Sequence, residues 1–331
     1  MKRPWLAPLV PLYVAGVALR NWRIDSGREP VRRLRWPVVS VGSLSAGGAG
    51  KTPTTIALAK ALAGAGFAVD VLSRGYGRKS RAAARVRIDG TAEDFGDEPL
   101  LIARAAGVPV YVATQRYEAG LPAEASVVEN SAGAARCVHL LDDGFQHRQL
   151  GRDIDILLVS RADWHDSALP AGDLREPRRA ARRASVIAIP ADEPEFADEL
   201  RAWGWNGPVW MLRREMSIPA CDGPVAAFCG IARPEQFFAG LERAGLRLAA
   251  RITFPDHHWY TARDLERVFA GARAAGAAAL ITTEKDLIRI GAAGDKIRSR
   301  LPLFAAGLRV EIGDDAIRWL AERLRSVASR S

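Results

Sequence analysis

Cysteine is scarce in this chain of 331 residues, and none of its three copies, Cys137, Cys221 and Cys229, belongs to a C-x-x-C pair. The cysteines also lack a histidine pattern typical of metal ligands, so the sequence indicates neither a zinc site nor a disulfide framework. We expect three reduced core residues, as is typical of a protein in a reducing compartment.

The sequence also lacks an apolar run long enough for a comfortable membrane span. Residues 4–19 are uncharged and apolar, but a spanning helix needs about 20 such residues, and Pro8 and Pro11 interrupt the first half of the run. We predict a helix from about Pro11 to Trp22 that lies in the membrane interface, with its flanking arginines on anionic lipid. A helix packed on the body of the protein is the alternative. A cleaved signal peptide is disfavoured, because it would carry the phosphate loop described below to a compartment where ATP is scarce.

Acidic residues are outnumbered by basic ones, 38 to 47, which gives a net charge of +9. This balance indicates an acidic partner such as a nucleotide, a nucleic acid or an anionic membrane. Residues 1–36 hold eight basic and two acidic residues, so six of the nine net charges precede the first predicted strand. Length and composition are typical of a folded globular protein with one large domain or two of ordinary size.

A glycine-rich turn between a predicted strand, Val38–Val41, and a predicted helix, Pro53–Leu62, is the strongest local signal. The turn matches the phosphate-loop pattern G-x-x-x-x-G-K-[ST], except that Ser45 replaces the first glycine. Backbone N–H groups of such a turn converge on phosphate oxygens, and the helix N-terminus adds positive charge. The predicted ATP-binding residues, here called the phosphate loop, are Ser45, Ala46, Gly47, Gly48, Ala49, Gly50, Lys51 and Thr52.

Within this loop, Lys51 is expected to reach the β- and γ-phosphates, and the Thr52 hydroxyl is expected to bind Mg²⁺. The alternative is an ordinary turn that happens to contain Gly-Lys-Thr. The flanking strand and helix favour the phosphate loop, because the motif requires both.

A second signal is the apolar strand that begins at Cys137 and ends in Asp142-Asp143-Gly144. A strand of this kind downstream of a phosphate loop resembles a Walker B element, in which Asp142 holds Mg²⁺ directly or through water. Gln146 and His147 follow, and their side chains are expected to point into the same opening as Asp142, next to the phosphate loop. A simple Asp-Asp-Gly turn is the alternative.

The alternation of strands and helices predicts an α/β fold with a doubly wound, mostly parallel sheet like that of P-loop NTPases. Ligands of such sheets bind at the carboxyl ends of the strands. Three loops are candidates there: the basic loop 74–79, the pair Asp97 and Glu98 ahead of a helix at Leu100–Ala106, and the arginine-rich loop at 169–183. The first and third have a solvated surface as their alternative, and Asp97 and Glu98 could simply cap their helix.

The pattern of residue types changes near residues 190–208, and this change predicts a domain boundary. We expect an N-terminal apolar helical arm (1–36), a P-loop nucleotide-binding domain (37–195), and a smaller α/β domain (196–331) that contributes His257 to the cleft between the domains. His257 and His258 lack a third metal ligand at suitable spacing, which favours acid–base chemistry or packing. The segment 283–286 resembles a base-reading T-K-x-D element only if an insertion is allowed.

The motifs together resemble one family, the tetraacyldisaccharide 4′-kinases, which are the lipid A 4′-kinases of Gram-negative bacteria. The resemblance covers nearly the whole chain. The segments that carry it are, in order, the apolar arm, Gly42–Pro53, Ser73–Arg78, Gly96–Pro99, Leu141–His147, Leu169–Pro177, Phe254–His257 and Thr283–Asp286.

The resemblance implies ATP-dependent phosphorylation of the 4′-hydroxyl of a tetraacyl-disaccharide 1-phosphate to give lipid IVA. It also implies Asp97 as the base with His257 as its partner, and Mg²⁺ held by Thr52 and Asp142, with either Glu98 or Asp143 sharing the metal. The residues assigned to the substrate headgroup or the transferred phosphate are Arg74, Tyr76, Asp143, Gln146, His147 and Arg175. The expected location is the cytoplasmic face of the inner membrane, with residues 4–22 on the lipid, a monomeric state and no nucleic-acid partner.

Two other classes of protein are weighed against this one. A nucleotide-switch or metal-delivery protein would carry a lysine just before the paired glycines, where this chain has Ala46. A nucleic-acid-binding ATPase would have basic residues interleaved with aromatics along a groove, whereas most of the excess charge here flanks the apolar arm.

Overall fold

The computed structural model describes residues 3–128 and 136–328. Twelve strands of this part form a single sheet. They are β1 (Val38–Ser43), β2 (Ala68–Ser73), β3 (Ala84–Arg85), β4 (Val110–Val112), β5 (Cys137–Asp142), β6 (Ile154–Leu158), β7 (Val186–Pro190), β8 (Val209–Ser217), β9 (Val225–Cys229), β10 (Leu248–Thr253), β11 (Ala279–Thr283) and β12 (Leu303–Ile312). Their order across the sheet is β10-β9-β11-β12-β8-β7-β6-β1-β5-β2-β4-β3. Only the pairs β3 with β4 and β8 with β12 are antiparallel, so the sheet is mostly parallel, as predicted.

The α-helices of the described ranges lie before, between and after these strands in the sequence. They are α1 (Val10–Asp25), α2 (Lys51–Gly64), α3 (Ala92–Phe95), α4 (Asp97–Ala106), α5 (Arg116–Val128), α6 (Arg161–Trp164), α7 (Glu195–Ala202), α8 (Pro234–Arg243), α9 (Ala262–Ala274), α10 (Glu284–Ile290), α11 (Ala293–Arg298) and α12 (Asp314–Ala328). In the described ranges, 3₁₀ helices lie at Pro4–Leu9 and Arg178–Arg183. The helices predicted at Pro53–Leu62 and Leu100–Ala106 lie within α2 and α4. β3, β8 and the helices α3, α5, α6, α7, α10 and α11 have no counterpart in the sequence interpretation.

The central strands are apolar because both of their faces are covered. All six residues of β1 and all six of β5 are buried, as expected of parallel strands with helices on both sides. The two strands pair in parallel with Val41 opposite Asp142. Their carboxyl ends therefore lie side by side, and the loop after β1 emerges next to the carboxylate that ends β5.

The predicted domain boundary falls just before β8, where the hydrogen-bonded sheet continues. β8 pairs in parallel with β7 and in antiparallel with β12, which leads on to β11, β9 and β10. The closing helix α12 returns to the first half, where Leu320 and Leu324 join the same core cluster as Leu58 of α2. The division into domains at 195 stays a prediction.

The N-terminal arm packs on the body through one face and leaves the other bare. Val10 and Val14 contact the core cluster that contains Trp164, and the Tyr13 hydroxyl donates to the Arg175 carbonyl at 3.0 Å. The exposed apolar side chains of this arm are Trp5, Leu9, Leu12, Leu19 and Trp22. The prolines confine the first turns to a 3₁₀ helix, and no helix in the described ranges is long and apolar enough to cross a bilayer.

Candidate active site

The phosphate loop connects β1 to α2 in a conformation that only glycine adopts readily. Gly47, Gly48 and Gly50 have φ angles of 87°, 69° and 79°, in the left-handed region that a Cβ disfavours. Ser45, which stands where the motif has glycine, is buried and forms an isolated bridge with Leu174. The loop thus keeps glycine at three positions that need it, and the departure at Ser45 falls outside them.

The side chain of Lys51 reaches from the start of α2 to the end of β1 and to Asp143. Its Nζ lies 3.4 Å from Ser43 Oγ and 3.6 Å from Asp143 Oδ1, and only 9% of the residue is exposed. Thr52 follows in the first turn of α2 and is also buried. A buried ammonium next to a helix N-terminus is suited to binding phosphate oxygens.

Asp142 lies at the end of β5, as expected of a Walker B carboxylate, and accepts a hydrogen bond from Thr55 Oγ1 at 3.1 Å. Burial raises the pKa of Asp142 to about 7, and the negative charges of Glu98 and Asp143 add to the shift. Such concentrated negative charge would be relieved by a bound cation.

The residues around Asp142 fit Mg²⁺ in chemistry. Mg²⁺ is usually held by one or two carboxylates together with water and substrate phosphates. Here the Asp142 carboxylate contacts α2 at Thr55, about one turn after Thr52. Among residues 3–128 and 136–328 there is no group of three or more His, Cys, Asp or Glu side chains suited to hold a metal ion. Bound phosphate would therefore have to complete the coordination shell.

Asp97 and His257 come together from opposite halves of the chain. His257 Nδ1 lies 3.3 Å from Asp97 Oδ2, and Arg289 Nε lies 3.2 Å from the same oxygen. Asp97 is inside the first turn of α4, whose N-cap is Gly96, so Asp97 is not the cap of this helix. Its Oδ1 accepts a 2.9 Å hydrogen bond from the Glu98 amide.

Each of the two side chains stabilises the charged form of the other. Burial by itself would raise the pKa of Asp97, but the contact with His257 and the positive charges of Lys285 and Arg289 outweigh burial and keep it below its ordinary value. The contact with Asp97 in turn raises the pKa of His257. An ionised carboxylate at this position can accept a proton or orient a hydroxyl.

An open cavity of about 440 Å³ lies over this pair. Its lining residues are Tyr76, Gly77, Asp97, Asp256, His257, Trp259 and Arg289. The ring of Tyr76 contacts that of His257, with centroids 4.9 Å apart, and His257 has a φ of 57°, which is uncommon for a non-glycine residue. The cavity offers aromatic surface and an ionised carboxylate to a polar ligand.

Glu98, a predicted metal ligand, pairs with Lys285 of α10. Burial would raise the pKa of Glu98, but the ammonium of Lys285 holds it below its usual value. Lys285 belongs to the segment 283–286, which departs from the base-reading T-K-x-D element by one inserted residue. The next residue, Asp286, accepts hydrogen bonds from the Gly230 amide and the Tyr260 hydroxyl, so this segment braces the loop that carries His257. The metal role of Glu98 stays a prediction.

Asp143, Gln146 and Arg175 form a polar cluster beside the phosphate loop. Arg175 Nη1 donates to both carboxylate oxygens of Asp143, at 3.0 and 2.8 Å, and Gln146 Nε2 donates to the Ser43 carbonyl at 3.0 Å. Burial opposes ionisation of Asp143, but Lys51 and Arg175 together lower its pKa. The structure thus brings these three predicted residues together next to Lys51.

His147 lies among cations. Burial lowers its pKa to about 3, and the charges of Arg116, Arg152, Arg74 and Arg20 add to the shift, so the imidazole is neutral at pH 7. Arg116 is buried and donates to the Asp143 carbonyl at 3.3 Å. Positive charge gathered around a neutral ring is suited to an anionic ligand.

Sequence reasoning missed Arg116 and Arg289. Arg116 opens α5, a helix that carries no motif, so no local signal identifies it. Arg289 lies four residues after Lys285, and that spacing puts the two side chains on one face of a helix. This periodicity is the signal that could have pointed to Arg289.

The chain is similar to known proteins over nearly its whole length. A family model described as tetraacyldisaccharide-1-P 4′-kinase matches residues 2–325. A tetraacyldisaccharide 4′-kinase of Koribacter versatilis is 41% identical over 318 residues, covering 93% of this chain and 94% of the relative. Another, of Anaeromyxobacter dehalogenans, is 41% identical over 316 residues, with coverages of 86% and 82%. The crystal structure of LpxK from Aquifex aeolicus, described as an "apo" form in complex with ATP, has a TM-score of 0.73 and 30% identity, covering 97% of this chain and 98% of that one.

Proposed function

The chain belongs to the tetraacyldisaccharide-1-P 4′-kinase family, and from this premise we propose how its residues perform the transfer. The family and the fold predicted from the motifs are confirmed. The enzyme is a lipid A pathway kinase that uses ATP to phosphorylate the 4′-hydroxyl of a tetraacyl-disaccharide 1-phosphate. The assignment of residues to steps is the proposal.

Asp97 is the base, and His257 is the residue that orients it. The 4′-hydroxyl oxygen attacks the γ-phosphorus, its proton passes to the Asp97 carboxylate, and the bond to the β–γ bridging oxygen breaks to release ADP. The observation that carries this assignment is the 3.3 Å approach of His257 Nδ1 to Asp97 Oδ2 beside an open cavity. Arg289 supports it by holding the carboxylate ionised.

The phosphate loop and Lys51 bind the β- and γ-phosphates, while Thr52 and Asp142 hold Mg²⁺. Mg²⁺ bound there neutralises charge that develops on the phosphate oxygens. The high pKa of Asp142 supports a cation at this point. Glu98 is the proposed further ligand, and it would have to share its charge between the metal and Lys285.

The disaccharide headgroup and its phosphate are bound by the polar residues at the mouth of the site. These are Arg74, Tyr76, Asp143, Gln146, His147 and Arg175. The contact between Tyr76 and His257 supports stacking of a sugar near the base. The neutral ring of His147 among arginines supports recognition of an anion.

The arm places the enzyme on the lipid that carries its substrate. Its bare face presents two tryptophans and three leucines, and arginines flank it, which is the composition of an interfacial anchor. We place residues 4–22 on the cytoplasmic face of the inner membrane, with the protein as a monomer and without a nucleic-acid partner.

The deciding experiment incubates the purified chain with ATP, Mg²⁺ and the acylated disaccharide 1-phosphate. Mass spectrometry and phosphorus NMR of the lipid should show one added phosphate at the 4′ position. ATP hydrolysis without a phosphorylated lipid, or a phosphate at another position, would contradict the proposal.

A further inference from the structure

Two arginines from the second half of the chain cover the phosphate loop. The side chain of Arg233 lies over Gly48, where a Cβ would come within 2.5 Å of its Cδ. Arg214, on β8, lies over Gly50, and the Cζ, Nε and Nη2 atoms of its guanidinium would all be 3.4 Å from a Cβ placed there. Equal distances to three atoms mean that the plane of this guanidinium faces Gly50.

The two arginines differ in whether they form an ion pair. Arg233 forms an ion pair with Asp163. Arg214 forms no ion pair within 4.0 Å in the part of the chain that the structure describes, and its Nε is buried without a hydrogen-bond partner. Asp163, Asp192 and Glu193 act on Arg214 from a distance, but none of the three pairs with it. Removing a cation from water without a directly paired counter-ion is costly, so the position of Arg214 calls for an explanation.

Among residues 3–128 and 136–328, Arg214 has one hydrogen-bond partner, and it lies in the phosphate loop. Its Nη2 donates to the Ala49 carbonyl at 2.8 Å. The carbonyl of Ala49 and the N–H of Gly50 belong to the same peptide unit, and in a trans peptide they point in opposite directions. Because Arg214 holds the Ala49 carbonyl on the outer side of the loop, the Gly50 N–H points toward the opposite, concave side.

We propose that Arg214 is a positioning residue for ATP: it holds the Ala49–Gly50 peptide so that the Gly50 N–H points at the phosphate chain, and its unpaired charge attracts that chain. This inference rests on the proposed function, because it takes ATP to be the occupant of the loop. It adds a contact from β8, in the second half of the chain, to a site whose other phosphate contacts come from the first half.

The test measures the dissociation constants of ATP, ADP and adenosine for wild type, Arg214→Met, Arg214→Gln and Arg214→Lys by calorimetry. Arg214→Met should weaken ATP at least about tenfold, the loss expected when one charge-assisted hydrogen bond is removed. Adenosine binding should change less than twofold. Arg214→Lys should recover part of the ATP affinity, because it keeps the charge and a donor, and Arg214→Gln should recover less, because it keeps a donor alone.

Arg213→Met is the matched control, since Arg213 is the preceding residue of β8, is exposed and lies 4.0 Å from Glu311. It should leave all constants unchanged. In glycine-¹⁵N-labelled protein, the Gly50 amide resonance should shift when ADP is added to wild type and not when it is added to Arg214→Met.

A merely structural role would lower the melting temperature and leave ATP affinity within twofold in the folded variants, and that result would overturn the inference. Should Arg214→Met fail to fold, Arg214→Gln and Arg214→Lys decide by the same criterion. If wild type phosphorylates the lipid and every variant binds ATP normally, only the role of Arg214 is contradicted. If wild type does not bind ATP, the proposed function itself is contradicted.

Discussion

His257 Nδ1 and Asp97 Oδ2 lie 3.3 Å apart, with His257 on the loop after β10 and Asp97 in the first turn of α4. Neither residue is next to the phosphate loop in sequence. The contact makes a site that depends on both halves of the chain, because Asp97 belongs to the first half and the side chains that keep it ionised, His257, Lys285 and Arg289, belong to the second.

Asp97→Asn should lower kcat by about 100- to 10,000-fold, because an amide cannot accept the proton of the attacking hydroxyl. The KM for ATP should change little. Steady-state kinetics with labelled ATP measure both constants, and Asp89→Asn, an exposed carboxylate paired only with Arg87, is the control. A change confined to KM would show that Asp97 acts in binding and not as the base.

His257→Asn should reduce kcat by about 10- to 100-fold, less than the loss at Asp97, because the base survives without the residue that orients it. Asparagine tolerates the left-handed backbone that His257 adopts. His258→Asn is the matched control, since its ring stacks on Phe254 and contacts Asp264 instead. Equal losses in the two variants would show that the loop, and not the His257 ring, matters.

Lys51→Met should abolish measurable transfer, because the loop then lacks the charge that meets the β- and γ-phosphates. Lys60→Met, a change of the same kind on the exposed side of α2, should retain wild-type kcat and KM. The measurement is phosphate transfer to the lipid at saturating ATP. Turnover of Lys51→Met at the wild-type rate would remove the phosphate-loop assignment.

The double variant Leu12→Ser, Leu19→Ser should bind anionic vesicles at least about tenfold more weakly, since burying each leucine in acyl chains contributes about 1.5–3 kcal/mol. Both side chains are exposed, so folding and activity in detergent should persist. Ile88→Ser, Leu121→Ser removes two exposed apolar side chains elsewhere and serves as the control in a flotation assay. Equal flotation of the two double variants would argue against the arm as the anchor.

Stability should fall as the pH rises from 7 to 9, through His139. The Nδ1 of this buried histidine lies 2.8 Å from Asp70 Oδ1, and its Nε2 lies 3.5 Å from Glu124. Burial opposes the charge, but the two carboxylates raise the pKa of His139 to about 9.

Because the unfolded chain releases this proton near pH 6.5, the stabilisation is complete below that pH and is lost as the pH passes the folded value. Urea unfolding at pH 7, 8 and 9 should show a steeper decline for wild type than for His139→Gln. The control, His165→Gln, changes an exposed histidine and should follow wild type. Parallel slopes for wild type and His139→Gln would contradict the assignment.

Much of the fold could be read from local patterns. β1 begins at the predicted residue, Val38, and α4 ends at the predicted residue, Ala106, because apolar spacing and turn residues decide them within a short window. β8 escaped prediction, since its apolar start, Val209–Leu212, runs directly into the charged residues Arg213–Glu215 without a regular alternation in sequence. Its place in the sheet depends on β7 and β12, which are distant in sequence.

The sequence by itself determined the phosphate loop, the Asp142 strand and the family, because each rests on residue types at fixed spacing along one segment. Only the tertiary structure decided the pairing of Glu98 with Lys285, the approach of Arg289 to Asp97, and the position of Arg214 over Gly50. Those contacts join segments far apart in the chain. The residues around a charged side chain in sequence do not indicate which distant residue will lie next to it in the folded protein.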